Sequence, residues 1–339
     1  MTRVATELHG KLIAPLQPLL GDARHLLISP DGPLNLIPFE ALRSVEGRYL
    51  VEDAAISYVT TGRDLVRMLA PRPAANRAVL FADPAFGEPS AQPISPASAG
   101  GTSPQSRRTG IAGEDLSSVY FAPLAGTAAE GQRIRALFPD MELRLGAGAT
   151  EQALKSLQAP RILHIATHGF FLQDSGAPEA KPSPEGTRAL NATARIDNPL
   201  LRSGLAFAGA NLPRTSGDDG ILTALEAANL NLWGTKLVTL SACDTGIGVV
   251  RNGEGVYGLR RAFFLAGGES LVMTLWPVSD LITREMMTGY YAGLKEGLGR
   301  GAALRRMQLQ MMKRKGRAHP FYWASFIQAG EWASLDGQR

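Results

Sequence analysis

Two residues of types that serve in nucleophilic catalysis follow two apolar segments of this 339-residue chain. Cys243, the only cysteine, comes directly after KLVTLSA (236–242), and His168 comes directly after RILHIAT (161–167). A thiol and an imidazole brought together are the minimum set for acyl transfer, because the imidazole raises the thiolate fraction and protonates the leaving amine. Gly169 would let a substrate carbonyl approach backbone N–H groups, so the amides of Gly169 and Cys243 are candidate oxyanion donors.

The alternative interpretation of Cys243 is a small buried hydrophobic residue, which is the common role of an unpaired cysteine. The separation of 75 positions between His168 and Cys243 leaves room for helices and an intervening strand, so the two strand ends can be neighbours. Two such neighbours at the carboxyl edge of an open α/β sheet would lie where these folds have their ligand-binding and active sites.

The segments that must position the two residues alternate between two patterns. Short apolar runs predict strands at 25–30, 55–60, 78–83, 142–146, 161–167, 204–209, 236–242 and 270–276. Amphipathic segments predict helices at 61–70, 127–138, 150–159, 222–232, 253–267, 287–298 and 301–315, the second with a capping box of Thr127 and Glu130. Several strands are apolar on both faces, which is typical of buried parallel strands. The alternation therefore predicts an α/β fold with a mostly parallel central sheet flanked by helices.

Three segments interrupt this alternation. Residues 84–120 are rich in Pro, Ser and Gly, and 173–198 and 211–220 have a similar composition. These segments predict a flexible insertion and two flexible loops. The loops contain Arg188, Arg195 and Arg214, which are candidate sites of cleavage during activation.

Composition limits the class of protein. The net charge of +4 comes from a mixed surface and does not imply a nucleic-acid partner. One cysteine cannot form an internal disulfide, the N-terminus lacks a signal peptide, and no run of about 18 apolar residues predicts a membrane span. We therefore expect a cytoplasmic protein, and the Arg-, Ala- and Gly-rich composition favours a bacterial source.

The motifs that would indicate a cofactor or a metal have better explanations. The pattern GEGVYG (253–258) lies too far from its preceding strand for a dinucleotide site. His164 and His168 are four residues apart on a strand, roughly 13 Å, which is too far for one metal ion. We expect His164 to be a packed or hydrogen-bonded core residue, and we expect no cofactor.

The two strand ends, HIATHGFF and TLSACDTGIG, resemble the signatures of the CHAT peptidases, which are caspase-like cysteine peptidases related to caspases, separases and gingipains. Further blocks resemble the family in the same order: 26–42, 47–65, 270–280 and 319–332. The resemblance spans nearly the whole chain apart from the insertions. It implies a single caspase-like domain over 1–339, with an N-terminal α/β portion (1–83) and a catalytic portion (121–339).

The resemblance implies roles for individual residues. His168 would be the acid and base, Cys243 the nucleophile, and the amides of Gly169 and Cys243 would face the oxyanion. Substrate-binding candidates are Ser241, two residues before the nucleophile, and a wall of Trp276, Pro277 and Val278. Asp280 or Asp244 would supply a negative charge for a basic P1 residue. The alternatives are that Asp280 caps a helix, which we favour, and that Asp244 only shapes its turn.

The resulting expectation is a cysteine endopeptidase that cleaves protein or peptide substrates through a thioester and is regulated by loop ordering, self-cleavage or a partner. Members of the family often carry helical tetratrico repeats before this domain, so a regulatory partner with such repeats is expected. Two alternatives stay open: a catalytically silent interaction module, and a thiol acyltransferase or hydrolase that acts on a non-peptide acyl group.

Overall fold

The structure is a computed structural model, and it describes residues 2–70, 73–74, 76–88, 120–171, 199–201, 203–212, 218–241 and 254–338. Within these ranges the strands are β1 (His25–Ile28), β2 (Ala55–Tyr58), β3 (Val79–Pro84), β4 (Glu142–Gly146), β5 (Ile162–Ala166), β6 (Gly169–Phe171), β7 (Ser203–Ala206), β8 (Ile221–Thr223), β9 (Leu237–Leu240), β10 (Ser270–Thr274) and β11 (Phe326–Gly330). The α-helices of the same ranges are α1 (Thr2–Leu12), α2 (Gln17–Leu20), α3 (Leu50–Asp53), α4 (Arg63–Met68), α5 (Ala125–Leu137), α6 (Glu151–Lys155), α7 (Ala224–Ala227), α8 (Glu254–Leu265), α9 (Asp280–Lys295), α10 (Arg300–Met312) and α11 (Pro320–Trp323).

A central sheet of eight strands organises the described part of the chain, in the order β1-β2-β11-β10-β9-β5-β3-β4. Its neighbouring strands are parallel except for β10 and β11, which are antiparallel. The α/β class and the mostly parallel sheet are therefore confirmed. β11 was not predicted as a strand. The predicted strand at 204–209 is β7, which lies in a small antiparallel sheet ordered β6-β7-β8.

Side chains on the two faces of the central sheet enter two separate cores. On β5, Leu163 and Ile165 pack into one core with α8, while Ile162 and Ala166 pack into the other with α9 and α10. This alternation follows from the two-residue period of a strand, and burial on both faces explains the apolar runs in the sequence. The sheet is therefore the middle layer between helices, and only its strand ends are available for chemistry.

One local prediction is wrong. Thr127 and Glu130 do not form a capping box, because α5 begins earlier, with Leu124 at its N-cap position. The Thr127 hydroxyl instead accepts a hydrogen bond from the Asp83 N–H at 2.9 Å and donates to the Leu124 carbonyl at 2.8 Å. Thr127 thus joins the end of β3 to the start of α5, and Glu130 turns inward.

The N-terminal and catalytic portions predicted from the sequence both contribute strands to the central sheet. The N-terminal portion, 1–83, supplies β1 and β2 at one edge of the central sheet and most of β3 near the other. Residues 89–119, 172–198 and 213–217, which make up most of the predicted insertion and loops, lie outside the described residues. Among the described residues, none of the helices combines the length and the apolar character that a bilayer crossing requires.

A buried carboxyl group in the N-terminal portion predicts a pH-dependent stability. Glu40 is 2% exposed, its Oε2 accepts a hydrogen bond from the Tyr58 hydroxyl at 2.7 Å, and burial raises the pKa of Glu40 to about 7 from its ordinary 4.5. Because the folded state binds this proton more tightly than the unfolded state, its stabilisation is complete below pH 4.5 and is lost as pH rises through 7. We expect the free energy of unfolding to fall across this range by on the order of 3 kcal/mol in urea titrations.

Glu40→Gln should reduce that pH dependence, because the amide keeps an oxygen for Tyr58 but does not titrate. Part of the slope should remain, since burial also raises the pKa of Glu151, to about 8. Glu296→Gln is the matched control, since Glu296 lies on the surface in an exposed pair with Arg306. A slope that is equally steep in Glu40→Gln and in the wild type would contradict the assignment to Glu40.

Candidate active site

The two strand ends that carry the candidate catalytic residues are adjacent. β5 and β9 pair in parallel, and each residue of β5 lies opposite the residue 75 positions later, from Ile162 with Leu237 to Ile165 with Leu240. The Ser241 N–H then donates to the Ile165 carbonyl at 2.8 Å, which continues the pairing past the end of β9. The predicted neighbourhood of the two strand ends is therefore confirmed up to Ser241. Cys243 and Asp244 lie outside the described residues.

The ring of His168 is held from several sides at the end of β5. Its Nε2 lies 2.7 Å from the carbonyl oxygen of Ala122, so Nε2 carries the proton and donates it. In the neutral ring, Nδ1 then carries the lone pair, so Nδ1 is the nitrogen that can accept a proton. The rings of Phe86 and Phe121 lie 5.2 Å and 5.8 Å from the imidazole, centroid to centroid. With 5% exposure, His168 is buried, and these contacts fix both its orientation and its tautomer.

Gly169, the predicted oxyanion donor, begins β6 directly after His168. It pairs with Leu205 of β7, and the Ala206 N–H donates to the His168 carbonyl at 2.9 Å. This pattern makes Gly169 and Leu205 a non-hydrogen-bonded pair, in which the amide of each residue points away from the partner strand. The Gly169 N–H is therefore directed away from β7.

Most of the described site residues share one cavity of about 460 Å³. Its lining brings together five of the predicted residues: His168, Ser241, Pro277, Val278 and Asp280. Trp276 contributes indirectly, because its Nε1–H donates to the Phe321 carbonyl at 3.0 Å and Phe321 lines the cavity. Residues from far apart in the sequence thus converge beside the carboxyl ends of β5 and β9.

The cavity is polar and acidic. Glu130 and Asp280 both line it, and among the described lining residues there is no lysine or arginine. Ser241 is 3% exposed, and its hydroxyl oxygen is buried without a hydrogen-bond partner among the described residues. A buried hydroxyl of this kind is costly unless something else satisfies it.

Asp280 is not the helix N-cap that we favoured. Ser279 occupies the N-cap position of α9, and Asp280 is the first helical residue, where a carboxylate still favours the positive end of the helix dipole. The Asp280 carboxylate packs against Gly126 of α5, where an added Cβ would lie 2.4 Å from Oδ2. Glycine at 126 thus leaves the space that the carboxylate occupies beside the cavity.

His164 has the expected core role. It is fully buried, its Nδ1 lies 3.0 Å from the Tyr291 hydroxyl, and its Nε2 lies 3.0 Å from Oε1 of Glu130. The Tyr291 hydroxyl in turn lies 3.1 Å from Oγ1 of Thr239. Glu130 thus lies beside this buried network and lines the cavity, although among the described residues its Oε1 has no well-aligned hydrogen bond.

Several functional groups of the site were not found from the sequence. Ala122, Phe86 and Phe121 orient the imidazole, and Glu130 was assigned to a helix cap. Ala122 acts through its backbone carbonyl, which has no residue-type signal. The signal for Glu130 was its position one helical turn after Thr127, facing a strand that contains a buried histidine.

The model of the CHAT domain family matches residues 2–331. Human Tetratricopeptide repeat protein 28 is 24% identical over 343 residues, which cover 97% of this chain but only 13% of that protein. The mouse protein of the same name is 32% identical over 116 residues, or 34% of this chain and 5% of its own length.

Among solved structures, the Arg specific cysteine proteinase gingipain R is similar with a TM-score of 0.51 and 9% identity, covering 98% of this chain and 67% of that chain. This likeness concerns the fold alone. A chain of the Saccharomyces cerevisiae separase-securin complex matches with a TM-score of 0.44 and 12% identity, over 87% of this chain and 15% of that one. With a family model that matches almost from end to end and a caspase-like sheet, this chain belongs to the CHAT domain family.

Proposed function

We propose that this chain is a cysteine endopeptidase in which Cys243 is the nucleophile and His168 the acid and base. The register of β5 and β9 is the observation that carries the proposal. Paired residues are 75 positions apart, and the same number separates His168 from Cys243. The proposal extends this register past Ser241, where Cys243 would be the partner of His168.

In the proposed mechanism the thiolate of Cys243 attacks the scissile carbonyl carbon after His168 has taken the thiol proton. The tetrahedral oxyanion accepts hydrogen bonds from the N–H groups of Gly169 and Cys243. The imidazolium then protonates the leaving amine, the C–N bond breaks, and a thioester remains. Water attacks the thioester after giving a proton to His168, and the imidazolium returns that proton to the departing sulfur.

The contacts of His168 support this role. Its Nε2–H donates to the Ala122 carbonyl, so the ring can accept a proton at Nδ1. The same carbonyl favours the imidazolium that forms, as a hydrogen-bonded partner does for the catalytic histidine in other acyl-transfer enzymes. The amide of Gly169 points away from β7, as an oxyanion donor requires.

The cavity beside His168 supports a preference for a substrate side chain with a positive charge at P1. Asp280 and Glu130 would face this side chain, Ser241 would offer its hydroxyl, and Pro277 and Val278 would form the wall with Trp276 behind them. Asp244 remains a second candidate for the same charge. Carboxylates bind guanidinium and ammonium groups through charge-assisted hydrogen bonds.

Asp280→Asn is therefore expected to lower kcat/KM for peptides with Arg or Lys at P1 by about tenfold, which corresponds to one charge-assisted contact. Peptides with a neutral P1 residue should be affected much less. Steady-state kinetics on the two peptide sets measures the difference. Asp22→Asn, an exposed aspartate before β1, is the control. An equal loss for both sets would instead assign Asp280 to the stability of α9.

Profiling with a peptide library tests the function itself, with Cys243→Ala as the background. Cleavage of peptides by the wild type alone supports the endopeptidase. An electrophilic probe separates the main alternative, since a silent interaction module would have a thiol no more reactive than free cysteine. Turnover of small esters or amides without any peptide cleavage would favour an acyltransferase or another thiol hydrolase.

Regulation and location are part of the proposal. The arginines at 188, 195 and 214 lie outside the described residues, and self-cleavage after them is part of the proposed activation. A helical-repeat partner is supported by the name of the human relative, of which this chain matches only a small part. A cytoplasmic location stays a prediction from the single cysteine.

A further inference from the structure

Two short segments, 84–88 and 120–124, supply the groups that contact the imidazole of His168. The first contributes the ring of Phe86, and the second contributes the ring of Phe121 and the carbonyl of Ala122. These segments lie on either side of residues 89–119 in the sequence. Contacts between the two segments help to set their relative position, and the two phenylalanine rings make one such contact at 5.9 Å.

A single side chain links the two segments through hydrogen bonds. The Nδ2 group of Asn211 donates to the Gly87 carbonyl and to the Phe121 carbonyl, each at 2.9 Å. Its Oδ1 accepts from the Phe121 N–H, also at 2.9 Å. The backbone N–H of Asn211 donates to the Phe86 carbonyl at 2.9 Å. Both N–H donors and the oxygen of the Asn211 amide are thus hydrogen-bonded. Their partners are Phe121, which contacts His168, and Gly87, which directly follows Phe86.

The turn that carries Asn211 is itself anchored. Phe207 is fully buried against Phe81, with ring centroids 5.9 Å apart. The Ala208 N–H donates to the Ala149 carbonyl at 2.9 Å, and the Gly209 N–H donates to the Ala85 carbonyl at 3.0 Å. Asn211 therefore projects from a fixed point, so its amide can hold the two mutually separated segments in place.

Close packing around Asn211 supports the same conclusion. Gly87 has a φ of +87°, and an added Cβ would lie 2.6 Å from Cδ2 of Leu212, the residue after Asn211. The positive φ favours glycine at 87, whereas the exposed side chain of Leu212 can move aside for a Cβ. The segment is thus shaped to bring its carbonyl to the amide of Asn211.

We propose that Asn211 is a positioning residue for His168, acting through the carbonyl of Ala122 and the flanking phenylalanine rings. This proposal rests on the proposed function. Ala122 directly follows Phe121, whose N–H and carbonyl are both bound by Asn211, so loss of the amide releases the carbonyl that accepts the Nε2–H. The imidazolium is then less stabilised, and the fraction of thiolate at Cys243 falls.

The test is the rate of Cys243 alkylation by iodoacetamide as a function of pH, measured by intact mass on the full chain. The single cysteine makes the product unambiguous. In the wild type we expect the rate to rise at a pH below the value of about 8.5 for free cysteine. In Asn211→Ala the midpoint should move toward the free-cysteine value, the rate at pH 7 should fall about tenfold, and kcat should fall by a similar factor with KM nearly unchanged.

Two further variants separate positioning from packing. Asn211→Asp has almost the same volume but cannot donate to the two carbonyls, so we expect it to behave like Asn211→Ala. Asn229→Ala removes another asparagine amide, one that donates to the Leu225 carbonyl on the surface, and should behave like the wild type. The carboxylates of Glu130 and Asp280, which line the cavity with His168, are the same in all of these proteins. Asn211→Asp adds a carboxylate of its own, whose charge favours the imidazolium, so it works against the expected loss and cannot produce it.

The outcomes distinguish the two proposals. If Asn211→Ala and Asn211→Asp keep the wild-type alkylation profile, Asn211 is not a positioning residue, whatever the chain does to peptides. If the wild-type profile is that of free cysteine and does not change in His168→Ala, the dyad itself is wrong. Should the alanine variant fail to fold, the nearly isosteric aspartate variant decides the question.

Discussion

Replacing Cys243 with alanine is expected to reduce peptide hydrolysis to the uncatalysed background, a fall on the order of 10⁶-fold in kcat. The reason is that the proposed reaction passes through a thioester on this sulfur, and the chain has no second thiol to replace it. The measurement is the cleavage rate of the best peptide from the library, with equal folded protein confirmed by thermal unfolding. The same preparation tests self-cleavage: new N-termini after Arg188, Arg195 or Arg214 should form in the wild type and not in the variant.

Cys243→Ser serves as the matched control, because it keeps the size of the side chain but replaces the thiol with a much weaker nucleophile. It should be nearly as inactive as Cys243→Ala. Full activity in both variants would rule out Cys243 as the nucleophile and leave the family fold without this chemistry. An intact chain in a fully active preparation would rule out self-cleavage as a requirement.

Replacing His168 with alanine is expected to lower kcat by about 10²- to 10⁴-fold, the usual contribution of a general acid and base. The imidazole is the group that ionises the thiol and protonates the leaving amine, and its ring is fixed by the Ala122 carbonyl. Added free imidazole should restore part of the activity, because the variant leaves space where the ring had been. Peptide cleavage at increasing imidazole concentration measures this recovery.

His25→Ala is the control for this variant. It also removes an imidazole, but His25 lies on the edge strand β1, with Nε2 3.0 Å from the Ser57 hydroxyl, far across the sheet from the cavity. His25→Ala should keep its activity. Unchanged cleavage in His168→Ala would mean that the histidine only supports the packing of Phe86 and Phe121.

The strands of the central sheet could not all be predicted equally well from the sequence. β5, β9 and β10 were predicted because all three are apolar on both faces, which only a strand in the middle of a covered sheet requires. β11 was missed, although Phe326–Gly330 is buried throughout. Its five residues follow the aromatic block at 321–323 without a turn signal, and short apolar runs do not distinguish a strand from a buried helix end.

The helix starts show a second limit of local patterns. Thr150 was expected to start a helix, and its hydroxyl does accept the Ala153 N–H at 3.1 Å. Thr127 has an equally good local pattern with Glu130, but the end of β3 competes for its hydroxyl through Asp83. A cap is a local bond, and a tertiary bond of similar strength can replace it.

By itself, the sequence determined the α/β class, the mostly parallel sheet and the two strand ends that carry His168 and the cysteine segment, because hydrophobic periodicity and glycine positions are local properties of the chain. Only the tertiary structure decided that the Ala122 carbonyl faces the imidazole, that Glu130 lines the cavity, and that Asn211 links both sides of 89–119. These contacts join residues far apart in the chain, and two of them end on backbone carbonyls, which every residue possesses. Their positions are set by how the layers pack, so residue type and spacing alone do not determine them.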